Sequence, residues 1–122
     1  MQAQNQGGII LAVAEPSVHR VYNVGKPRFQ LRQGEEAISA FDAEKLTPAD
    51  ILPSFRPGSL IATQEISTIE SFGLMVVRTP GDPKLPQLLQ DNHLEIRPGD
   101  GMTRNQLKAA LRALEQKIGE SP

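Results

Sequence analysis

The stretch that decides the fold is DNHLEIRPGDGMTRNQLKAALRAL, residues 91–114, in which a strand pattern is followed by a helix pattern. In HLEIR, near its start, apolar and polar side chains alternate, as in a strand with one buried face. Thr103 and Gln106 then have the spacing of a capping box, which opens a helix. Beyond them, apolar residues recur at helical spacing, at Leu107, Leu111, Leu114 and Ile118. The stretch therefore predicts a strand and a C-terminal amphipathic helix.

Further segments toward the N-terminus are rich in β-branched or apolar residues and are predicted to be strands. These segments are Val18–Val24, Ala37–Asp42, Ser59–Thr63 and Leu74–Arg78, and Phe29–Leu31 is expected to resume strand pairing after Pro27. Strand alternation places Ser39 and Phe41 on one face of their segment and Ile38 on the other.

Two short helices and a long loop are predicted between these strands. Thr47 is suited to the N-cap of the first helix, which Pro53 shortens. The second helix lies within residues 63–72 and ends at Gly73. Residues 79–92 hold three prolines and form a long loop with room for one turn of helix, of a kind that is often functional in a small domain. The order of elements predicts an α+β fold of short mixed or antiparallel strands with about three helices.

Length and composition indicate one domain and exclude several kinds of site. The chain has 122 residues, of which 39% are hydrophobic, so we expect a loose segment over residues 1–16 and a single domain over residues 17–119. Without cysteine, the chain has no disulfide, no catalytic thiol and no Cys-ligated zinc. Two histidines are too few for a typical structural metal site, so no metal is expected.

Charge and hydropathy bear on partners and location. The net charge of −1 disfavours a dedicated nucleic-acid binder, because phosphate contacts need clustered Lys and Arg. The apolar run Ile9–Ala14 is far shorter than the ~18 residues that span a bilayer, so no membrane partner is expected. The expected location is the cytoplasm, with secretion into a target bacterial cell left open because specialised export needs no such apolar signal.

Polar side chains on otherwise apolar strands are the candidate site residues. Arg20 and Tyr22 share a face of the first strand, Ser39 lies within the second, and His93 and Glu95 share a face of the last. If these strands adjoin, they form a cleft suited to a dinucleotide. Arginine binds phosphate, a serine hydroxyl binds ribose, a tyrosine ring stacks, and Glu or His stabilises charge as a glycosidic bond breaks.

The same residues also have purely structural interpretations. A serine inside a strand is often neutral filler, and a strand face with His, Glu and Arg is usually a solvated face of a sheet. Arg20 is equally suited to a surface position. Nucleophilic chemistry by Ser39 with His93 stays open, since the two could meet in space.

Two segments resemble the small toxic effectors of type VI secretion that have an ADP-ribosyltransferase-like fold. That family shows a glycine-led Thr-Ser-Val-Phe-Asp strand, and here residues 34–46 read GEEAISAFDAEKL. It later shows a His-Tyr-x-Ile-x-Pro strand, a Met and a terminal helix. Here residues 93–98 read HLEIRP, followed by Met102 and the predicted helix.

The resemblance implies a function and a set of site residues. It implies a bacterial toxin that uses NAD as substrate, by ADP-ribosyl transfer or NAD hydrolysis. Ser39 and His93 match the family residues implicated in toxicity, while the family's Thr position holds Ile38. Arg20 or Tyr22 lies nearest the family's early strand position, and Glu95 is our substitute for a catalytic Glu. A neutralising antitoxin or immunity protein is the implied partner, and a bacterial protein or nucleic acid the possible target.

Two other functions remain open from the sequence. One is a nuclease-type toxin on the same fold, with His19 and His93 as acid and base and nearby arginines as phosphate ligands. The other is a non-enzymatic binding module, such as an immunity protein, which the small size and near-zero net charge permit.

Overall fold

The computed structural model describes residues 15–119, which form five strands and four α-helices. The strands are β1 (Ser17–Tyr22), β2 (Ile38–Asp42), β3 (Leu60–Glu65), β4 (Leu74–Arg78) and β5 (His93–Pro98). The helices are α1 (Pro48–Ile51), α2 (Ile66–Glu70), α3 (Gln87–Asp91) and α4 (Arg104–Gly119), and a 3-10 turn, Leu52–Ser54, follows α1.

The five strands form one sheet in the order β3-β1-β2-β5-β4, and every neighbouring pair is antiparallel. The predicted α+β class is confirmed, and the strands are antiparallel rather than mixed. Four helices are present where about three were predicted, because α3 adds one turn inside the long loop of residues 79–92.

The predicted helix starts are confirmed in detail. The Thr47 hydroxyl accepts from the Asp50 amide at 3.2 Å, and the Asp50 carboxylate accepts from the Thr47 amide at 2.8 Å. At the start of α4, Thr103 and Gln106 exchange the same two bonds, at 3.1 and 2.7 Å. Each reciprocal pair satisfies amides that a helix start leaves without partners.

Residues opposite each other on neighbouring antiparallel strands share a face of the sheet, and this defines two faces. The α4 face carries Ile38, Ala40, Leu94 and Ile96, which pack in one core cluster with Leu107, Leu111 and Leu114 of α4. The opposite face carries Ser39, Phe41, His93 and Glu95. Phe41 packs there in a second cluster, with Leu46, Ile51 and Leu89.

The expectation that Phe29–Leu31 resumes strand pairing is wrong. These residues lie in the β1–β2 loop, residues 23–37, which contains no strand. Gly25 adopts a positive φ of 82° in the turn that leads out of β1, and Pro27 has no amide to offer a ladder. Phe29 instead inserts into the core cluster of the α4 face, and its amide donates to Glu115 Oε1 at 3.1 Å.

Of the predicted loose segment, residues 1–14 lie outside the described residues, and the apolar run Ile9–Ala14 lies there with them. The two residues that precede β1 do make contacts with α2. The Pro16 carbonyl accepts from the Ile66 amide at 2.9 Å, and the Glu15 carboxylate accepts from the Ser67 hydroxyl at 3.1 Å.

Candidate functional site

The site begins where β1 and β2 separate. Their Cα pairing covers only Val18 with Asp42 and His19 with Phe41, whereas β1 pairs with β3 along its whole length. Past that point Arg20 crosses the opening and donates from Nη1 to the Ser39 carbonyl at 2.8 Å. The Arg20 guanidinium therefore bonds a carbonyl that a backbone amide would bond if β1 and β2 stayed paired.

The opening forms a cleft of about 560 Å³, within the range of about 300–1,000 Å³ typical of small-molecule sites. The β1–β2 loop forms one wall, and the loops around residues 55–59 and 80–85 form the other. The five residues predicted for the dinucleotide site all line this cleft, namely Arg20, Tyr22, Ser39, His93 and Glu95. The structure thus brings the predicted set together, and the role of each residue in binding or catalysis stays a prediction.

His93 lies at the base of the cleft and is only 5% exposed. Its Nδ1 is 3.0 Å from the Thr79 hydroxyl, and its ring meets Phe41 edge to face, with centroids 5.6 Å apart. Gly81 lies against it, since a Cβ at position 81 would be 3.2 Å from the His93 Cβ. Nε2 has no hydrogen bond to any of residues 15–119, so this nitrogen is the one available to a ligand.

Ser39 and Glu95 are directly opposite each other on β2 and β5, so their side chains share the cleft side of the sheet. Glu95 Oε1 accepts a hydrogen bond from Arg97 Nε at 2.9 Å, and Arg97 Nη2 lies 2.8 Å from the same oxygen as an ion pair. Within the described chain, Glu95 Oε2 and the Ser39 hydroxyl have no hydrogen-bond partner. A hydroxyl and one carboxylate oxygen are therefore both free to contact a ligand.

Ser39 and His93 do not form a nucleophilic pair in this structure. Phe41, not Ser39, is opposite His93, so the hydroxyl and the imidazole are offset along the strands. No hydrogen bond joins them, and the Nδ1 side of the imidazole is already paired with Thr79. A serine nucleophile needs its base within hydrogen-bond reach, so this geometry gives the Ser-His alternative no support.

Arg20 is held more tightly by the protein than its predicted role as a phosphate ligand requires. Besides the bond to Ser39, its Nε donates to the Arg28 carbonyl at 3.1 Å. Burial lowers the pKa of Arg20 from its ordinary value, with the Glu35 carboxylate raising it and Arg32 lowering it further. An arginine nevertheless stays protonated in a protein. In this structure Arg20 therefore acts mainly as a brace. Its guanidinium joins the β1–β2 loop at Arg28 to β2 at Ser39, across the opening between the strands.

Two exposed arginines are better placed to take an anion. Arg32 and Arg56 line the cleft, one on each wall. Neither guanidinium has a hydrogen bond or an ion pair within residues 15–119, so their donors are available. A planar guanidinium suits phosphate because it can donate two parallel bonds. Arg32 and Arg56 are therefore the cleft arginines whose guanidiniums are open to an anion, whereas that of Arg20 is bonded within the protein.

Aromatic rings flank the charged groups. Tyr22 lies beside the Arg28 guanidinium, whose central carbon is 6.0 Å from the ring centroid. On the other wall Phe55 meets Phe41 edge to face, with centroids 6.0 Å apart. Tyr22 is the one tyrosine in a chain without tryptophan, so its fluorescence reports specifically on the cleft.

A second depression of about 580 Å³ adjoins the cleft at the β2–β5 side. Glu35, Ser39 and Glu95 line both spaces, and Glu36 and Arg97 line only the second. Ser39 and Glu95 are therefore approachable from two directions, which suits a reaction in which a second molecule meets a bound ligand.

His19 is not a cleft residue, which corrects its part in the nuclease alternative. It is 7% exposed, and its Nδ1 lies 2.7 Å from the Thr63 hydroxyl. Burial lowers the pKa of His19, while a hydrogen bond with the Leu46 backbone and the Asp42 carboxylate act in the opposite direction. Its pairing with β3 and its burial leave it no path to a cleft ligand.

Several lining residues were not singled out from the sequence. They are Arg32, Glu35, Phe55, Arg56 and Asp82. Arg56 lies in a turn in which Gly58 adopts a positive φ. Loop length would have pointed to Arg32 and Glu35, because residues 23–37 are as long and as irregular as the loop of residues 79–92, which was expected to be functional and which holds Asp82.

Among residues 15–119 no three His, Asp or Glu side chains come together as metal ligands would. In the same range no helix has the length and apolar character needed to cross a membrane.

Comparisons with protein family models, with curated proteins and with solved structures give no match to this chain. Function is therefore inferred from the sequence pattern and the geometry of the cleft.

Proposed function

We propose that this chain is a bacterial toxin that consumes NAD, by ADP-ribosyl transfer or by NAD hydrolysis, on an ADP-ribosyltransferase-like fold. The observation that carries the proposal is the cleft, in which five residues chosen from the sequence on chemical grounds lie together. Those residues come from β1, β2 and β5, which are separated along the chain, so their meeting is a property of the fold.

The cleft offers a dinucleotide complementary groups for each of its parts. Arg32 and Arg56 suit the pyrophosphate, and the Ser39 hydroxyl suits a ribose hydroxyl. Tyr22 and Phe55 present rings on which a base or the nicotinamide can stack. Ligand pockets typically combine an apolar lining with a few polar groups that fix the orientation of the ligand, and this cleft has both.

The chemistry asked of the site is cleavage of the bond between ribose C1′ and the nicotinamide nitrogen. The bonding pair leaves with nicotinamide, which becomes neutral, and positive charge develops on the ribose. Glu95 Oε2 is a free carboxylate oxygen that stabilises this charge. Water or a target side chain then adds to C1′, and its proton passes to a base, a role that we propose for Glu95 or for His93 Nε2.

The nuclease alternative is less well supported by the geometry, because it relied on two imidazoles and His19 lies outside the cleft. The immunity-protein alternative requires that expression of the chain does not harm a bacterium. Under the proposed function the toxin acts in the cytoplasm of a bacterium, and a cognate antitoxin or immunity protein neutralises it there by covering the cleft.

Inducible expression in a bacterial cytosol, with growth and total NAD followed together, tests the proposal. We expect growth arrest with falling NAD, and we expect Ser39→Ala to slow NAD loss about tenfold, since it removes one ligand hydrogen bond. Ser71→Ala is the matched control, because Ser71 is an exposed serine outside the cleft. Arrest with constant NAD would contradict NAD consumption, and harmless expression would favour the immunity-protein alternative.

Purified protein separates binding from turnover. We expect NAD to change the fluorescence of Tyr22, and we expect Arg32→Gln to weaken that response while leaving the thermal melting temperature unchanged. His93→Gln needs the melting control as well, because His93 is buried against Phe41. Equal NAD titration curves for the original chain and for Arg32→Gln would contradict the assignment of Arg32 to phosphate.

A further inference from the structure

The two histidines of the chain are held in similar ways but differ in what is left free. His19 pairs through Nδ1 with the Thr63 hydroxyl at 2.7 Å, and it has a further hydrogen bond with the Leu46 backbone. His93 pairs through Nδ1 with the Thr79 hydroxyl at 3.0 Å, and its Nε2 has no partner among residues 15–119. Both imidazoles are buried, but only that of His93 lines the cleft. The protein therefore fixes one nitrogen of His93 and leaves the other to a ligand.

Thr79 is itself held firmly against His93. It directly follows β4 and continues the pairing with β5, because its amide donates to the His93 carbonyl at 3.3 Å. The loop beyond it is also close-packed, since a Cβ at Gly81 would lie 2.9 Å from the Gln90 Cα and 3.2 Å from the His93 Cβ. Threonine is β-branched and therefore stiff at χ1. The backbone and the side chain of Thr79 thus bond the same residue, and its hydroxyl has little freedom to turn away.

The direction of the Thr79–His93 bond follows from the other partners of the two groups. Within the described chain the Thr79 hydroxyl has no hydrogen bond besides this one. If Nδ1 carried the proton, the hydroxyl hydrogen would have no acceptor among residues 15–119. If the hydroxyl donates to Nδ1, its hydrogen is paired, and the proton of a neutral imidazole resides on Nε2. The hydrogen bond at one ring nitrogen thereby decides what the other nitrogen offers to the cleft.

We propose that Thr79 is a positioning residue that keeps the proton of His93 on Nε2, so that His93 donates a hydrogen bond to an oxygen of the dinucleotide. This role of His93 rests on the proposed function and narrows a choice within it. A nitrogen that already carries a proton cannot accept a second one without becoming charged. The proton released at C1′ therefore passes to the Glu95 carboxylate, whose Oε2 has no hydrogen bond within the described chain.

Long-range proton–nitrogen NMR of the full chain tests the proton position directly. At about pH 8, above the ordinary titration range of histidine, the spectrum shows which ring nitrogen carries the proton. Thr79→Val removes the hydroxyl but keeps the branched shape, and Thr79→Ser restores a hydroxyl. Thr63→Val is the matched control, because it removes the equivalent hydroxyl from His19, outside the cleft. The chain has two histidines, so the two threonine variants also assign the two imidazoles.

We expect His93 to carry its proton on Nε2. The Nδ1 resonance of His93 should move downfield in Thr79→Val, because an unprotonated nitrogen loses a donor, and it should keep its place in Thr79→Ser and in Thr63→Val. A proton on Nδ1 in the original chain, or an unmoved resonance in Thr79→Val, would overturn the proposal. The original chain gives the proton position without any variant and without any ligand, so this test holds even if Thr79→Val does not fold.

Kinetics with NAD test the contact to the ligand. We expect Thr79→Val to raise the KM about threefold to tenfold and to change kcat by less than about twofold, because a hydrogen bond made to bound substrate is weakened before and during the reaction alike. Thr79→Ser should restore the KM, and Thr63→Val should leave it within about twofold. A loss confined to kcat would instead make His93 the base and overturn the proposal.

Binding of ADP-ribose, followed by the fluorescence of Tyr22, distinguishes the ligand oxygens. A Kd that rises in Thr79→Val together with the KM for NAD supports a contact to ribose or phosphate, and an unchanged Kd supports one to the nicotinamide carboxamide. An original chain that neither binds nor consumes NAD would contradict the proposed function. A proton on Nδ1 in a chain that does consume NAD would overturn the role of Thr79 alone.

Discussion

The two faces of the sheet are built from the same strands, yet they differ sharply in what their side chains do. On the α4 face, Ile38, Ala40 and Ile96 are fully buried in one core cluster. One position along the same strands, Ser39 and Arg97 are exposed. Because strand side chains alternate with a period of two, one chain segment supplies both the core and the candidate site.

The opposite face is itself divided. At its Phe41–His93 end, α1, α3 and their loops cover the sheet, so that His93 is buried with one ring nitrogen free. At its Ser39–Glu95 end no helix covers the strands in the described structure, and the side chains face the cleft and the second depression. Along β2 and β5, the side chains of this face therefore become more accessible from the Phe41–His93 end to the Ser39–Glu95 end. The shielded His93 thus lies next to the more accessible Ser39 and Glu95.

The largest expected effect contrasts two neighbours on β5. Ile96→Ala removes a fully buried side chain and should lower the free energy of unfolding by about 2–5 kcal/mol. Arg97→Ala should lower it by less than about 1 kcal/mol, because its ion pair with Glu95 is solvent-exposed. Chemical denaturation of both variants measures the difference. Similar losses of stability in the two variants would contradict the distinction between the buried α4 face and the more exposed opposite face.

A smaller effect is expected from the brace that holds the opening. Arg20→Gln cannot reach both the Arg28 and the Ser39 carbonyls, so we expect a loss of about 1–3 kcal/mol in the free energy of unfolding. The fluorescence of Tyr22 should change with it. Arg32→Gln is the control, since it removes the same charge from the same cleft without breaking an internal bond of the guanidinium. A loss as large in the control would assign the effect to charge and not to the brace.

The smallest effect concerns pH and the buried His19. Its folded-state pKa lies below the ordinary value of 6.5, so the unfolded chain binds the proton more readily. Stability should therefore fall as pH drops through about 6.5 toward the folded-state pKa, below which this contribution stays lost. His19→Gln should flatten that part of the curve, while His93→Gln should retain the contribution of His19. Thermal melting between about pH 5 and 8 checks both, and an unchanged slope in His19→Gln would refute the assignment.

The sequence predicted most of the fold because local signals and burial agree in this chain. Thr47 as an N-cap and the capping-box spacing of Thr103 and Gln106 predicted two helix starts, and alternation correctly separated Ser39 and Phe41 from Ile38. The strands β1, β2 and β5 adjoin as the cleft hypothesis required. These features depend on residues within a few positions of each other, or on a period that the sequence displays directly.

The remainder depends on contacts between distant parts of the chain. Phe29 was expected in a strand because its neighbours suit one, but the Glu115 carboxylate, far along the sequence, accepts its amide. Arg20 joins β2 by a bond to the Ser39 carbonyl beside the point where β1 and β2 separate, a contact that the sequence did not predict, and its role as a phosphate ligand stays a prediction. Neither the separation of two strands nor the partner of a loop amide is encoded in local propensity, so pattern alone could not supply them.

The short pairing between β1 and β2 divides the sheet into two panels, β3-β1 and β2-β5-β4, that share few ladder bonds. Apolar packing also joins the panels, since Val18 and Ile38 belong to one core cluster and Val21 packs against the other cluster, which contains Phe41. Apolar packing is non-directional, so it tolerates small rotations that a hydrogen-bonded ladder would resist. The opening between the two panels is therefore able to widen or narrow slightly. The bond from Arg20 to the Ser39 carbonyl sets its width in this structure.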